Sequence, residues 1–302
     1  MHPLIRQLIA SAPVLTDGAW GTQLQALGLL PGEFPDAWNL SHPERVAQVA
    51  SAYVEAGSRI ILTNTFGANR FRLVECGLES KVGEINHAGV AISRQAAGHR
   101  AFVFASIGPS GKLLANGDIT AKELRFGFEE QAHALAGACA DALVVETMAD
   151  LEEAKLAVAA ARDTGLPVVA CMVFDSGKND NRTMMGTTPE EAVRALAAAG
   201  AEVVGANCGK GVVGFASLCR RLRAATDRPI WVKPNAGLPH IANGKPEYSI
   251  SPEEFAEFIS TLIDCGASFV GGCCGTNPDF IRAIHRRIHK EVSCMAAPQL
   301  PS

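Results

Sequence analysis

The sequence predicts an α/β protein, a single (β/α)8 TIM barrel, on three observations. Eight short runs rich in β-branched residues alternate with Ala-rich stretches of helical spacing, at intervals of roughly 30–45 residues. Four of the helical stretches end in a glycine just before a strand, at Ala56-Gly57, Thr164-Gly165, Ala199-Gly200 and Cys265-Gly266. Polar side chains and thiols gather where the apolar strands end, which is where barrels of this kind carry their chemistry. A chain of 302 residues holds one barrel of about 250 residues with trimmings, and no Pro- or Ser-rich linker divides it. A doubly wound open sheet is the alternative, because periodicity does not show closure.

From the N-terminus, Val14–Thr16 is a short apolar run closed by Asp17. Ser41 before His42-Pro43 reads as a cap followed by a first-turn proline, opening the helical stretch Pro43–Ala56. The strand Arg59–Thr63 ends at Asn64-Thr65-Phe66, and Ala101–Ile107 ends at Gly108-Pro109 ahead of the helix Ala121–Gly137. Ala142–Glu146 is an apolar strand that finishes on an acid, before the helix Asp150–Thr164. Pro167–Phe174 ends at Asp175, and Thr188 before Pro189-Glu190-Glu191 caps the next helix, Thr188–Ala199. Glu202–Asn207 runs into Cys208-Gly209 and is followed by the helix Phe215–Thr226. Pro229–Lys233 ends at Pro234-Asn235, and Ser251 caps Pro252–Cys265. Ser268–Gly272 is the eighth strand and delivers Cys273-Cys274. The barrel is expected over residues 1–292, with a flexible tail over 293–302.

Composition narrows the function classes. Basic residues number 27 and acidic residues 31, a net charge of −4, which argues against a nucleic-acid protein with its basic face. Apolar residues make up 48% and charged residues 19%, too apolar for a disordered chain. No run of about 18 apolar residues occurs, so no membrane span is expected. The segment Met1-His2-Pro3-Leu4-Ile5-Arg6 lacks the features of a signal peptide. Nine cysteines, an odd number, suit reduced thiols in a cytoplasmic protein better than a disulfide framework.

Three of those thiols stand at strand ends. Cys208 lies 65 residues before the adjacent pair Cys273-Cys274, within Gly271-Gly272-Cys273-Cys274-Gly275-Thr276. Strands six and eight are neighbours-but-one in a barrel, so these loops can converge on one ion. Three thiolates suit Zn2+ and leave a fourth position open, the pattern of a catalytic site. Three buried small hydrophobic residues would have the same spacing. The other six cysteines, Cys76, Cys139, Cys171, Cys219, Cys265 and Cys294, are assigned to packing.

The motifs resemble a known family. Gly205-Ala206-Asn207-Cys208-Gly209, Gly271 to Thr276, Asp17-Gly18-Ala19-Trp20-Gly21-Thr22, Thr63-Asn64-Thr65-Phe66 and Glu146-Thr147-Met148 resemble the zinc-dependent homocysteine S-methyltransferases. The resemblance runs from about Leu15 to Arg287. Lys233-Pro234-Asn235-Ala236-Gly237, with Asn243-Gly244-Lys245 and Tyr248, is most similar to the homocysteine module of the cobalamin-dependent methionine synthases. The resemblance implies the same barrel, Zn2+ held by Cys208, Cys273 and Cys274, and homocysteine as the methyl acceptor.

Homocysteine also carries an ammonium and a carboxylate. Glu146, ending an apolar strand, is a sensible ammonium partner, and the resemblance supports that role. Asp17-Gly18-Ala19 offers backbone N–H groups to the carboxylate, with Asp17 also near the ammonium. Asn235 resembles the residue that occupies the fourth metal position when substrate is absent. The methyl donor stays open between methylcobalamin on a partner protein, betaine and a sulfonium compound. No Asp-x-His-x-x-Gly sequence for binding a corrinoid occurs at any histidine, whereas Trp20, Trp38 and Phe66 could enclose an onium group. A homo-oligomer is compatible with the sequence. Gly209-Lys210-Gly211-Val212-Val213-Gly214 matches a dinucleotide fingerprint, but no acid follows at the required spacing. Two further readings are a Schiff-base aldolase with Lys233 as nucleophile and a thiol protein that stores zinc or switches with redox state.

Overall fold

The strand-forming runs pair in parallel because each is linked to the next by a helix. The computed structural model describes residues 1–178, 181–238, 240–242 and 245–295. Seven strands follow in order, β1 (Val14–Leu15), β2 (Ile60–Ile61), β3 (Phe102–Ile107), β4 (Ala142–Met148), β5 (Val168–Met172), β6 (Val203–Cys208) and β7 (Ile230–Pro234). An antiparallel hairpin, β8 (His240–Ala242) with β9 (Lys245–Glu247), precedes the last barrel strand, β10 (Ala267–Val270). The eight-stranded sheet has the order β1-β10-β7-β6-β5-β4-β3-β2. Its outer strands meet: the Arg59 N–H donates to the Leu15 carbonyl at 2.8 Å, which brings the sheet round to a nearly closed barrel rather than an open one.

Both faces of the sheet are buried, so the strands read as continuous apolar runs. Val14, Ile60, Phe104, Val144, Val169, Val203, Trp231 and Phe269 point inward and pack together. Trp231 sits between Phe104 and Phe269, with ring centroids 6.1 and 5.4 Å away. Residues of the alternate parity, such as Leu15, Val103, Leu143 and Val204, pack on the helices instead. The helix Pro3–Ile9 contributes Ile5 and Leu8 to the inner cluster and so plugs one end of the barrel.

The helices begin where their chemistry allows. Thr188 and Ser251 form complete capping boxes with Glu191 and Glu254, and Thr120 forms another with Glu123. Ser41 is not a cap: it ends the short helix Trp38–Ser41, its hydroxyl donates to the Ala37 carbonyl, and His42 precedes Pro43 without a side-chain bond. Gly57, Gly165, Gly200 and Gly266 all have φ between 81 and 113°, as helix-stopping glycines do. The final helix, Pro278–Met295, runs past the expected boundary at 292, so residues 293–295 continue it. Residues 296–302 of the expected tail lie outside the described ones. Among the described residues no helix is long and apolar enough to cross a membrane.

A buried ion pair joins the end of β1 to β7 beside the seam between β1 and β2. Asp17 is fully buried and Lys233 is nearly so, and the Lys233 ammonium donates to Asp17 Oδ1. Asp17 Oδ2 accepts from the Leu62 N–H and from the Trp20 indole, each at 2.7 Å. Removing one partner of such a pair strands a charge in the core. We therefore expect Asp17→Asn to lower stability by about 3–5 kcal/mol, with Asp17→Asn/Lys233→Met recovering most of it. Urea unfolding measures both, and a single variant as stable as the wild type would remove the role assigned to the pair.

Candidate functional site

Three thiols converge at the C-terminal end of the barrel. The Sγ atoms of Cys208, Cys273 and Cys274 all lie within 4.8 Å of one another, at the end of β6 and just beyond β10. The segment carrying the pair is strung between two neighbouring loops. Gly272 N–H donates to the Asp17 carbonyl, Cys273 N–H to the Pro234 carbonyl, and Ala236 N–H to the Cys274 carbonyl. A methyl group on Gly272 would lie 2.4 Å from Thr276 Oγ1, and one on Gly271 would lie 2.1 Å from Thr16 Oγ1, so only glycine fits there. Cys208 itself has φ of 65°, a left-handed conformation that a non-glycine residue adopts only when its surroundings enforce it.

The cluster carries its charge unevenly. Hydrogen bonds from Cys273 and then Cys274 pull the Cys208 thiol well below its usual value, so the three thiols share their protons as one cluster. Donating to Cys208 pushes Cys273 well up and Cys274 up to about 11. Such a set is suited to binding a thiophilic metal ion through three sulfurs. The Asn235 carboxamide lies against it, with Nδ2 donating to Cys208 Sγ at 3.5 Å and to the Gly209 carbonyl, while its Oδ1 is buried without a partner. Gly209, Gly211 and Gly214 all have positive φ, and the loop they form packs on Gly237 beside this site, the place the fingerprint-like run occupies.

Glu146 stands across the cavity. Its Oε1 accepts from the Ser106 hydroxyl at 2.5 Å and its Oε2 lies 3.4 Å from Asn207 Nδ2. Burial raises its pKa, opposed by the Lys233 charge and by the Ser106 hydrogen bond. It faces inward two residues beyond the inward Val144, and just past it Val145 pairs with Ala170 and Met148 with Met172, so β4 holds one residue more than β5 over this stretch. That bulge lets Val145 and Met148 both face the helices although they are three apart.

Two expectations need correction. Asp17 is fully buried and does not line the cavity, and its oxygens accept from Lys233, Leu62 and Trp20. The Ala19 N–H is bonded to Thr276 Oγ1 at 3.2 Å, so it is not free for a carboxylate. Gly18 does line the cavity, packed on Tyr53 and Thr276 so closely that a Cβ would clash. Lys233 has its pKa pulled down by burial but raised overall by Asp17 and Glu146, so it stays an ammonium, unlike an amine nucleophile. Cys76 and Cys139 are exposed and pack in no core, whereas Cys171 and Cys219 are buried.

The cavity has a volume of about 370 Å³. Its inner end holds the three thiols, Glu146 and Ser106, and its outer wall includes Trp20, Phe34, Asp36, Phe66 and Arg72. Trp38 instead packs on His42 and Arg45. Tyr248 is half-buried near the thiols, whose charges help raise its pKa after burial, and Asn243 and Gly244 lie outside the described residues. Sequence reading missed Ser106 and the clamping role of Asn207. Strand parity was the available signal, since Ser106 lies two residues beyond the inward Phe104 and Asn207 four beyond the inward Val203.

With this geometry in view, comparison with known proteins is decisive. The family model for homocysteine S-methyltransferase matches residues 14–288. The chain belongs to the homocysteine S-methyltransferase family. Among curated relatives it is similar to a methionine synthase of Mycobacterium leprae, 31% identical over 294 residues, covering 92% of this chain and 24% of that one. A methionine synthase of Mycobacterium tuberculosis matches at 31% over 296 residues, covering 92% and 25%. The chain thus spans about a quarter of the length of these relatives. The metallated homocysteine methyltransferase MmuM of Escherichia coli superposes with a TM-score of 0.80 at 23% identity, covering 95% of this chain and all of that one. That likeness places this homocysteine S-methyltransferase family member on the same fold.

Asp36 makes the outer wall sensitive to pH. Burial raises its pKa to about 7, partly offset by the Gly67 N–H that it accepts. A carboxyl whose folded pKa is raised loses stability as pH climbs from its unfolded value toward the folded one. Asp36→Asn has no proton to lose, so its stability relative to the wild type should grow by about 1.4 kcal/mol per pH unit across this window. Urea unfolding at pH 5 and pH 7 tests this, and an equal gap at both would overturn it.

Proposed function

We propose that this protein transfers a methyl group to the sulfur of homocysteine, yielding methionine, with Zn2+ as its metal. The observation that carries the proposal is the meeting of three thiols and the buried Glu146 carboxyl at the inner end of one cavity. The donor set fits zinc: three sulfurs lie close enough for one ion, and the unpartnered Asn235 Oδ1 beside them is an oxygen awaiting a partner. Cys208, Cys273 and Cys274 would hold the ion, which supplies Lewis acidity that keeps the substrate sulfur a thiolate at neutral pH.

The chain's own groups do the rest. Glu146, fixed by Ser106, receives the substrate ammonium and so orients the sulfur toward the thiol cluster. The Asp17–Lys233 pair cancels its own charge and leaves the Glu146 carboxylate as the anionic partner for that ammonium. The methyl carbon passes from donor to sulfur by in-line displacement, the sulfur supplying the electron pair and the donor leaving with the pair of the broken bond. Placing donor and thiolate opposite one another therefore supplies much of the rate. The donor enters through the outer wall. Delivery by a further protein module is supported by the fourfold greater length of the methionine synthase relatives. The aromatic rings of Trp20, Phe34 and Phe66 favour a second reading, an onium donor such as betaine or a sulfonium. Methionine formation with methylcobalamin, betaine and sulfonium donors separates the two.

Two measurements test the acceptor half. Elemental analysis should find one zinc per wild-type chain and much less in Cys208→Ser and Cys273→Ser; full occupancy in both variants would sink the metal assignment. Glu146→Gln should weaken homocysteine binding by roughly ten- to hundred-fold, about 1.5–3 kcal/mol, with zinc content unchanged. A thiol lacking the amino group should lose little, and equal losses for both thiols would refute the ammonium contact.

A further inference from the structure

We infer that Asn207 is a positioning residue that sets the length of the amino-acid thiol this site accepts. It pins the bulge of β4 so that Glu146 stands at a fixed distance from the thiol cluster. The inference rests on the acceptor half of the function proposed above. Asn207 is buried and does not line the cavity, so it acts through its neighbours. β5 ends at Met172, which pairs with Met148 on one side and Ala206 on the other. One residue further on, the Asn207 carboxamide reaches across the top of β5 to β4. Its Oδ1 accepts the Thr147 N–H at 2.8 Å, and its Nδ2 donates to the Thr147 hydroxyl at 2.6 Å.

This double bond holds the one residue whose conformation makes the bulge. Thr147 has φ of 61°, a left-handed state costly for a β-branched side chain, and Cys208, next to Asn207 in sequence, has φ of 65°. Asn207 thus ties together two strained backbones, one adjoining Glu146 and one bearing the Cys208 sulfur. Its Nδ2 also lies 3.4 Å from Glu146 Oε2 and 3.9 Å from Cys273 Sγ. The carboxylate that reads the amine and the sulfurs at the other end are therefore held by one rigid amide. Homocysteine has two methylenes between its α-carbon and its sulfur, and cysteine has one. A rigid gauge of this kind rejects the shorter thiol, because it cannot reach both ends at once.

The test uses zinc-loaded protein titrated calorimetrically with homocysteine and with cysteine. Wild type should prefer homocysteine, by a factor in the range of about 10–200 that one methylene is worth in a fitted site. Asn207→Ala should lose about tenfold or more of that preference while zinc content stays the same. Thr147→Ser, which keeps the hydroxyl, should retain the preference. Should Asn207→Ala fail to fold, Thr147→Gly carries the same test: glycine takes φ of 61° freely but lacks the hydroxyl, so its preference should fall. An Asn207→Ala or Thr147→Gly protein that binds both thiols more weakly but keeps their ratio would overturn the gauge and leave Asn207 a merely structural residue. Wild type that binds neither thiol would overturn the acceptor reading itself, and the gauge with it.

Discussion

The buried pair between Asp17 and Lys233 is the interaction on which the barrel and its site both rest. It joins residues from β1's end and β7, and through the Leu62 N–H it reaches the β2 side of the seam. Parallel strands with two-residue edges, as in β1 and β2, offer few ladder bonds of their own. A carboxylate that accepts from Lys233, Leu62 and Trp20 at that seam makes up for them. Its cost is the desolvation of two charges, which their mutual attraction must offset.

The pair also sets the electrostatics of the cavity. Its charges offset one another, while Lys233 still lines the cavity and holds the Glu146 pKa down against burial. What remains at the inner end of the cavity is the Glu146 carboxyl and the cluster of three thiols. Arg72 stands on the outer wall instead. The same reasoning explains why Lys233, a lysine at a strand end, has no nucleophilic part to play.

Much of this was legible in the sequence. The strands and glycine-stopped helices follow from local pattern, and the Ser/Thr-x-x-Glu caps at Thr188 and Ser251 lie where the pattern puts them. The thiols were legible because cysteines at two strand ends are chemically conspicuous. Asp17 was misread because its partners Leu62 and Lys233 are 45 and 216 residues away, and a short Asp-Gly-Ala motif carries no sign of either. The bulge was invisible for a related reason: register belongs to two strands together and cannot be read from one. Ser41 was misplaced because a cap-like residue before proline was itself the end of another helix.

The extra residue in β4 has a consequence for how the strand ends. Deleting one residue between Val145 and Met148 would restore regular pairing with β5, release Thr147 from its left-handed backbone, and leave the outer apolar contacts in step. By every criterion of strand building such a barrel is the better one. It would also lose the Thr147 N–H and hydroxyl that Asn207 holds beside Glu146. The irregularity therefore gathers backbone strain at the cavity end of β4, where a side chain from β6 rather than the ladder itself holds the strand.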